Sequence, residues 1–243
     1  KSNYIERFHG VELAIRDVTN PAEEKVITVP QELLEKGGSY SEKAMPFTVN
    51  VLHFGVNCDF DFASAEKSRS PMAEIVNRGV GQAANLNITS KEEDFASDAL
   101  NFGYVIFELL DNGKSLGKWM SISHPAGNQV WSQMSPKLSD MAFQSIRHKG
   151  KLWGVALRQQ REYLPFSIEL LDIENEFYHG TEIPFNFESD INLHLEGNQT
   201  RRALVYMNTP LRHGGKTFYQ YQMNDSANYS VFQVISNPSW LVP

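Results

Sequence analysis

Short runs in which apolar and polar residues alternate dominate this chain. Val11, Leu13 and Ile15 interleave with Glu12, Ala14 and Arg16, and Phe47, Val49 and Val51 do the same with Thr48 and Asn50. Ile191, Leu193 and Leu195 interleave with Asn192 and His194. A period of two sends the apolar set to one face of a half-buried strand, so each run predicts antiparallel sheet. Turn residues join further runs into hairpins. Residues 104–110 and 115–122 flank Asp111-Asn112-Gly113-Lys114, where Asn-Gly supplies the positive φ angles of a tight turn. Residues 142–148 and 152–158 flank Lys149-Gly150-Lys151, 189–196 and 202–207 flank Gly197-Asn198, and 217–223 and 229–235 flank Asn224-Asp225-Ser226.

Helical signals are fewer. Pro30 to Lys36 before Gly37-Gly38 has Pro at a plausible first position and Gly at the exit, and Ser70-Pro71 to Asn77 is punctuated in the same way. Ser90 with Glu93 has the spacing of a capping box. The segment Met45-Pro-Phe-Thr-Val-Asn-Val-Leu-His-Phe54 lines up with Leu164-Pro-Phe-Ser-Ile-Glu-Leu-Leu-Asp-Ile173, and Gly103 before one hairpin echoes Gly215 before another. The expected fold is therefore mainly β: antiparallel, β-sandwich-like modules in two related halves, with a few short helices. The expected domains are an N-terminal β module over 1–130 and a C-terminal one over 131–243. Pro125-Ala-Gly127 and Ser135-Pro136 suit the connection between them.

Composition narrows the function classes. A length of 243 residues supports one large or two smaller cores, and 12% aromatic content argues against disorder. A single cysteine excludes a disulfide framework within the chain. A formal charge of -7 without a basic stripe argues against nucleic acid as partner. The chain contains no run of 18 apolar residues. Its start at Lys1 reads as a fragment or a processed product, so the missing signal peptide carries no information about compartment.

Candidate chemistry is sparse. Cys58 would need a base to act as a nucleophile, and His53 falls on the opposite face of a straight strand, so a small buried thiol is the expected role. None of the seven histidines pairs at the spacing that places two metal ligands on one helix face, and no metal site is expected. Isolated residues could still converge as haem ligands, with His194, Met207 and His213 as the candidates. Asp59 and Asp61 share a strand face and could form an acid/base pair, while Tyr219 and Tyr221 share a face that could bind a sugar or a partner. Those pairs define an alternative reading, an extracytoplasmic carbohydrate-binding or hydrolase β module. There is no phosphate-binding loop, dinucleotide glycine fingerprint or nucleophile elbow. Asn87-Ile-Thr89, Asn198-Gln-Thr200 and Asn228-Tyr-Ser230 fit the glycosylation triplet, which is too short to carry weight.

The C-terminal third carries a more specific pattern. It contains Pro165-Phe-Ser-Ile-Glu-Leu-Leu-Asp-Ile173, Glu176-Phe-Tyr-His-Gly-Thr181 and Pro184 with Phe187-Glu-Ser189. There follow Val205-Tyr-Met-Asn-Thr-Pro-Leu-Arg212, Gly215-Lys-Thr-Phe-Tyr-Gln220, Tyr229-Ser-Val-Phe-Gln-Val234 and Asn237-Pro-Ser-Trp240. This order resembles the ResB-like (CcsB) family of cytochrome c biogenesis proteins over about residues 160–243. The resemblance implies the periplasmic domain of an integral membrane protein of the bacterial cytoplasmic membrane, anchored by helices absent from this fragment. Its implied partners are a CcsA-like membrane protein and apocytochrome c, in a complex that attaches haem to a Cys-x-x-Cys-His site. It implies a docking role in a haem lyase complex and no catalytic residue in this chain. No tightly bound cofactor is expected here, while haem is possible in the full complex. Trp240-Leu-Val-Pro243 fits the approach to a membrane helix. The family pattern has Pro where His179 stands and Tyr where His213 stands, so neither histidine carries over as a family ligand.

Overall fold

The structure is a computed structural model, and it describes residues 1–20, 25–62, 69–80, 85–95, 101–123, 143–177, 184–224 and 229–236. Its elements in chain order are β1 (Ser2–Asp17), β2 (Val26–Pro30), α1 (Gln31–Lys36), β3 (Gly38–Tyr40), β4 (Thr48–Gly55), β5 (Asn57–Phe62), α2 (Pro71–Glu74) and β6 (Leu86–Lys91). There follow β7 (Tyr104–Asp111), β8 (Lys114–Ile122), β9 (Phe143–His148), β10 (Lys151–Phe177), β11 (Pro184–His194), β12 (Thr200–Tyr206), β13 (Leu211–His213), β14 (Lys216–Asn224) and β15 (Tyr229–Ser236). The protein is mainly β, as the alternation predicts. No helix among the described residues is long and apolar enough to cross a membrane. The chain divides into two compact units, Arg7–Gln160 and Lys1–Glu6 with Arg161–Pro243.

In the unit Arg7–Gln160, β1 pairs antiparallel with β2, setting Leu13 opposite Val29 and Ile15 opposite Ile27. A second sheet has the order β3-β4-β7-β8. The predicted inward positions Leu13, Ile15, Phe47, Val49 and Val51 share one core with Phe107, Leu109, Val155 and Leu157. On β7 the opposite face is buried as well, since Tyr104 and Ile106 join Met120, Ile122, Leu86, Ile88, Ala73 and Cys58 in a second core. Covering both faces of β7 explains why residues 104–107 are apolar without alternation.

Local signals account for most connections. In the β7–β8 hairpin Asp111 faces Lys114, and Asn112 and Gly113 take φ of 50° and 80°. Lys149 and Gly150 adopt the same left-handed pair between His148 and Lys151, so Lys151 lies in β10 rather than in the turn. Pro30 caps α1 instead of opening it, and Ser70 Oγ accepts the Ala73 N–H at the start of α2. The capping box expected at Ser90 does not form: Ser90 is in β6 opposite Cys58, and pairing with β5 outweighs a local cap signal. The connection expected within 125–140 and the turn residues Asp225 and Ser226 lie outside the described residues.

In the other unit, β11 pairs with β10 on one side and with β12 on the other, and β13-β14-β15 form a separate sheet. Phe166, Ile191, Leu193, Val205, Leu211 and Phe218 are buried together in its core. Phe166 meets Phe218 edge to face at 6.1 Å. Two strands carry a bulge at corresponding places in the internal similarity. The β4 register slips between Val51 and His53, and the β10 register slips between Leu170 and Asp172. Leu52 and Leu171 are the extra residues, and they align with each other in the two segments.

Candidate functional site

The polar side of the β10–β11–β12 sheet carries rows of charged and polar groups. On β11, Ser189, Ile191 and Leu193 are fully buried, so Glu188, Asp190, Asn192 and His194 project from the other face. Pairing sets them in rows across the strands. His194 lies opposite Thr200, Asn192 opposite Arg202, Asp190 opposite Leu204, and Glu188 opposite Tyr206. On β10, Glu169 lies opposite Asn192, Asp172 opposite Asp190, and Glu174 opposite Glu188.

Two cavities lie along these strands. A space of about 540 Å³ is lined by Leu164, Pro165, Phe166, His194 and Thr200 among others. There His194 Nε2 meets Glu169 Oε2 at 2.7 Å and His194 Nδ1 meets Thr200 Oγ1 at 3.4 Å. The hydrogen bond from His194 holds the Glu169 carboxyl below its ordinary range. A smaller space of about 210 Å³ is lined by Asp172, Glu174, Glu188, Asp190, Arg202 and Leu204. Arg202 Nε donates to both Asp190 carboxylate oxygens, at 2.8 and 2.9 Å, which lowers the Asp190 pKa and raises that of Arg202. Among the described residues no group of three His, Cys, Asp or Glu side chains is arranged to hold a metal ion.

The three haem candidates do not line one cavity. His194 stands in the larger one with both ring nitrogens engaged, so an iron ligand there would have to displace Glu169 or Thr200. His213, on β13, packs edge-on against Phe166 at 4.7 Å, and burial followed by the nearby Arg201 charge pushes its pKa down. Met207 follows β12, is 48% exposed and lines neither cavity.

The other candidates separate as well. Cys58 is buried in β5, and burial pushes its thiol up to about 12, the state of an inert core residue rather than a nucleophile. Asp59 pairs with Lys91 and Asp61 accepts from Asn87, in the unit Arg7–Gln160, whereas Tyr219 and Tyr221 belong to the other unit. Tyr221 is the extra residue of a bulge on β14, which breaks the alternation that predicted a face shared with Tyr219.

Several residues of the C-terminal motifs meet in the interior. Ser189 Oγ lies 2.8 Å from Gln220 Oε1 and 2.8 Å from Ser230 Oγ, and Gln220 Nε2 donates to Ser230 Oγ at 2.8 Å. This network joins β11 to β14 and β15 and satisfies the polar groups of a buried serine, so these motif positions are structural. The acidic rows beside them escape motif reading. Alternation on β11 signals Glu188 and Asp190, but alignment of Asp172 and Glu174 with them depends on the bulge at Leu171.

Residues 141–239 match the model of the ResB-like family, which supports the assignment of the chain to that family. No curated protein matches the chain.

Proposed function

We propose that this ResB-like chain is the periplasmic domain of a membrane-anchored component of the cytochrome c maturation complex. At family level its role is in cytochrome c biogenesis, in association with a membrane. Its task in this reading is docking: it engages a CcsA-like partner, apocytochrome c or both, and helps shape the space where haem is attached. Ligation adds the S and H of each reduced cysteine thiol across a haem vinyl group, and both haem and apocytochrome are substrates of the assembled complex.

The observation that carries this reading is the family match over 141–239, which spans the whole β10–β11–β12 face. The geometry of that face supports docking over catalysis. Its cavities lie along the strands of a sheet, and the one thiol of the chain is buried in the other unit with its reactivity suppressed. The test is titration of the chain with an apocytochrome peptide bearing Cys-x-x-Cys-His and, separately, with peptides from the outer loops of a CcsA-like protein. Saturable binding of either at micromolar concentration is expected, and no binding of either at high micromolar concentration would overturn the proposal.

The larger cavity, lined by His194 and Phe166 among others, gives direct haem binding a second, narrower reading. A Soret shift on haem titration that is lost in His194→Ala would support it. No shift, or one unchanged by that substitution, would exclude His194 as the ligand.

A further inference from the structure

We infer that the outer edge of β15 pairs with β15 of a second copy of this chain, joining two three-stranded sheets across a twofold axis. This goes beyond the docking reading and does not rest on it. Among the described residues β15 pairs on one side only, with β14, and β14 pairs on its far side with β13. An edge strand points every second N–H and C=O away from its sheet, which makes it a template for another strand. Proteins blunt such edges with brevity, charge, proline or a cover. The other edges here are blunted in these ways. β3 and β13 have three residues each, and β2 ends on Pro30. β5 carries Asp59 and Asp61, β6 Lys91, β9 Arg147, and β12 Arg201 and Arg202. On β8 the Lys118 carbonyl accepts from the N–H groups of Asn77 and Arg78, and the Lys118 N–H donates to Asn77 Oδ1. Among the described residues β15 has none of these devices. Tyr229–Ser236 is eight residues without a charge, a proline or a glycine, and the bulge beside it belongs to β14.

The strand is also complementary to itself. Phe232 and Val234 pack against this unit's core and Ser230 joins the Ser189–Gln220 network, so the even positions face in while Val231, Gln233 and Ile235 face out. A twofold axis between antiparallel strands runs perpendicular to their sheet and passes between a residue and its own copy. It therefore pairs inward positions with inward ones and outward with outward. An axis at Gln233 sets Gln233 against its copy, Phe232 against Val234, Val231 against Ile235 and Ser230 against Ser236. Inside, this continues the apolar face from one copy to the next. Outside, Ile235, 49% exposed in the single chain, is covered by Val231 of the second copy. No pair brings like charges together. The Lys216 ammonium at the end of the strand is held by Glu162 and Ser236. A strand of another protein would have to match this uncharged sequence, whereas a second copy supplies the match.

The test follows the mass of the 243-residue chain by light scattering as its concentration rises. A dimer is expected at about 10 to 100 µM, because one strand edge is a small contact. Val231→Lys/Ile235→Lys sets lysine against lysine at two places across the axis and should weaken association about tenfold or more. Val231→Lys/Ile235→Glu sets lysine against glutamate at the same two places and should restore it. A chain that stays monomeric at about 300 µM, or a dimer that forms equally well in the double-lysine variant, would overturn the inference. Cysteine substitutions test the same pairing without added charge. Gln233→Cys should give a covalent dimer under mild oxidation, because the axis brings this position opposite its own copy. Ile235→Cys should not, because it faces Val231 instead. The native Cys58 is buried and does not compete. Equal cross-linking at the two positions would overturn the pairing. If the chain stays monomeric and Val231→Lys/Ile235→Lys instead loses the apocytochrome peptide, the edge belongs to that partner and self-pairing falls.

Discussion

Replacing Arg158 with methionine tests the energetics of the larger unit directly. Arg158 on β10 donates from Nε to Glu12 Oε1 at 2.9 Å, and its Nη2 lies 2.8 Å from the same oxygen. The two side chains are only 16% and 7% exposed. Taking away the guanidinium leaves the Glu12 carboxylate buried without its counter-charge, a change that costs about 3 to 5 kcal/mol. At about 2 to 4 °C per kcal/mol for a unit of this size, Arg158→Met should lower Tm by roughly 10 °C. The double variant Glu12→Leu/Arg158→Met removes both charges and fills the space with apolar groups, so it should recover most of the loss. Thermal and urea unfolding followed by circular dichroism on the parent, both single variants and the double variant measures these quantities. If Arg158→Met melted within about 1 °C of the parent, or the double variant fell as far as the single, the buried pair would not hold β1 to β10 as argued.

Two further outcomes follow from perturbed side chains. The Cys58 thiol is buried and pushed up to about 12, so a disulfide reagent at mildly alkaline pH should label the native protein roughly a thousandfold more slowly than the urea-unfolded chain; equal rates would contradict the burial of β5. Burial holds the His213 pKa below its unfolded value near 6.5, so the unfolded chain binds the proton more readily. The stability tied to this group is full above that value and is lost as pH falls through the lower folded pKa. His213→Gln should therefore flatten the unfolding free energy between pH 7 and pH 5, and an unchanged slope would refute the assignment.

Local chemistry in the sequence reaches a long way into this fold. Alternation finds the inward sets of β1, β4 and β11, because a half-buried sheet enforces period two. Asn112-Gly113 finds its hairpin, because few residue pairs tolerate two positive φ angles in succession. Where partners lie far along the chain, local signals give out. Ser90 has the chemistry of a helix cap, yet its place is set by β5, more than 25 residues upstream. The bulges at Leu171 and Tyr221 have no residue signature, since strand register creates them. For that reason alternation places Tyr219 and Tyr221 on one face when they are not paired that way, and it leaves the rows of Asp172 and Glu174 without a signal. Residue type alone marks His194 and His213 as haem candidates. Sequence could not show that Glu169 and Thr200 already hold both nitrogens of His194.

The extra residue at Leu171 acts as a phase switch for β10. Before it, Ile168 and Leu170 face inward at even positions, opposite Leu193 and Ile191. After it, the odd position Ile173 faces inward and the even positions Asp172 and Glu174 face out. If the strand kept Leu171 but lost the bulge, its period of two would turn Asp172 and Glu174 into the core and Ile173 into solvent, whereas a chain lacking Leu171 would alternate without a break and keep the present facing. The in/out parity of the segment thus hangs on the bulge that takes Leu171 out of the pairing. The matching slip at Leu52 on β4 places a second such phase switch at the aligned position of the internal similarity.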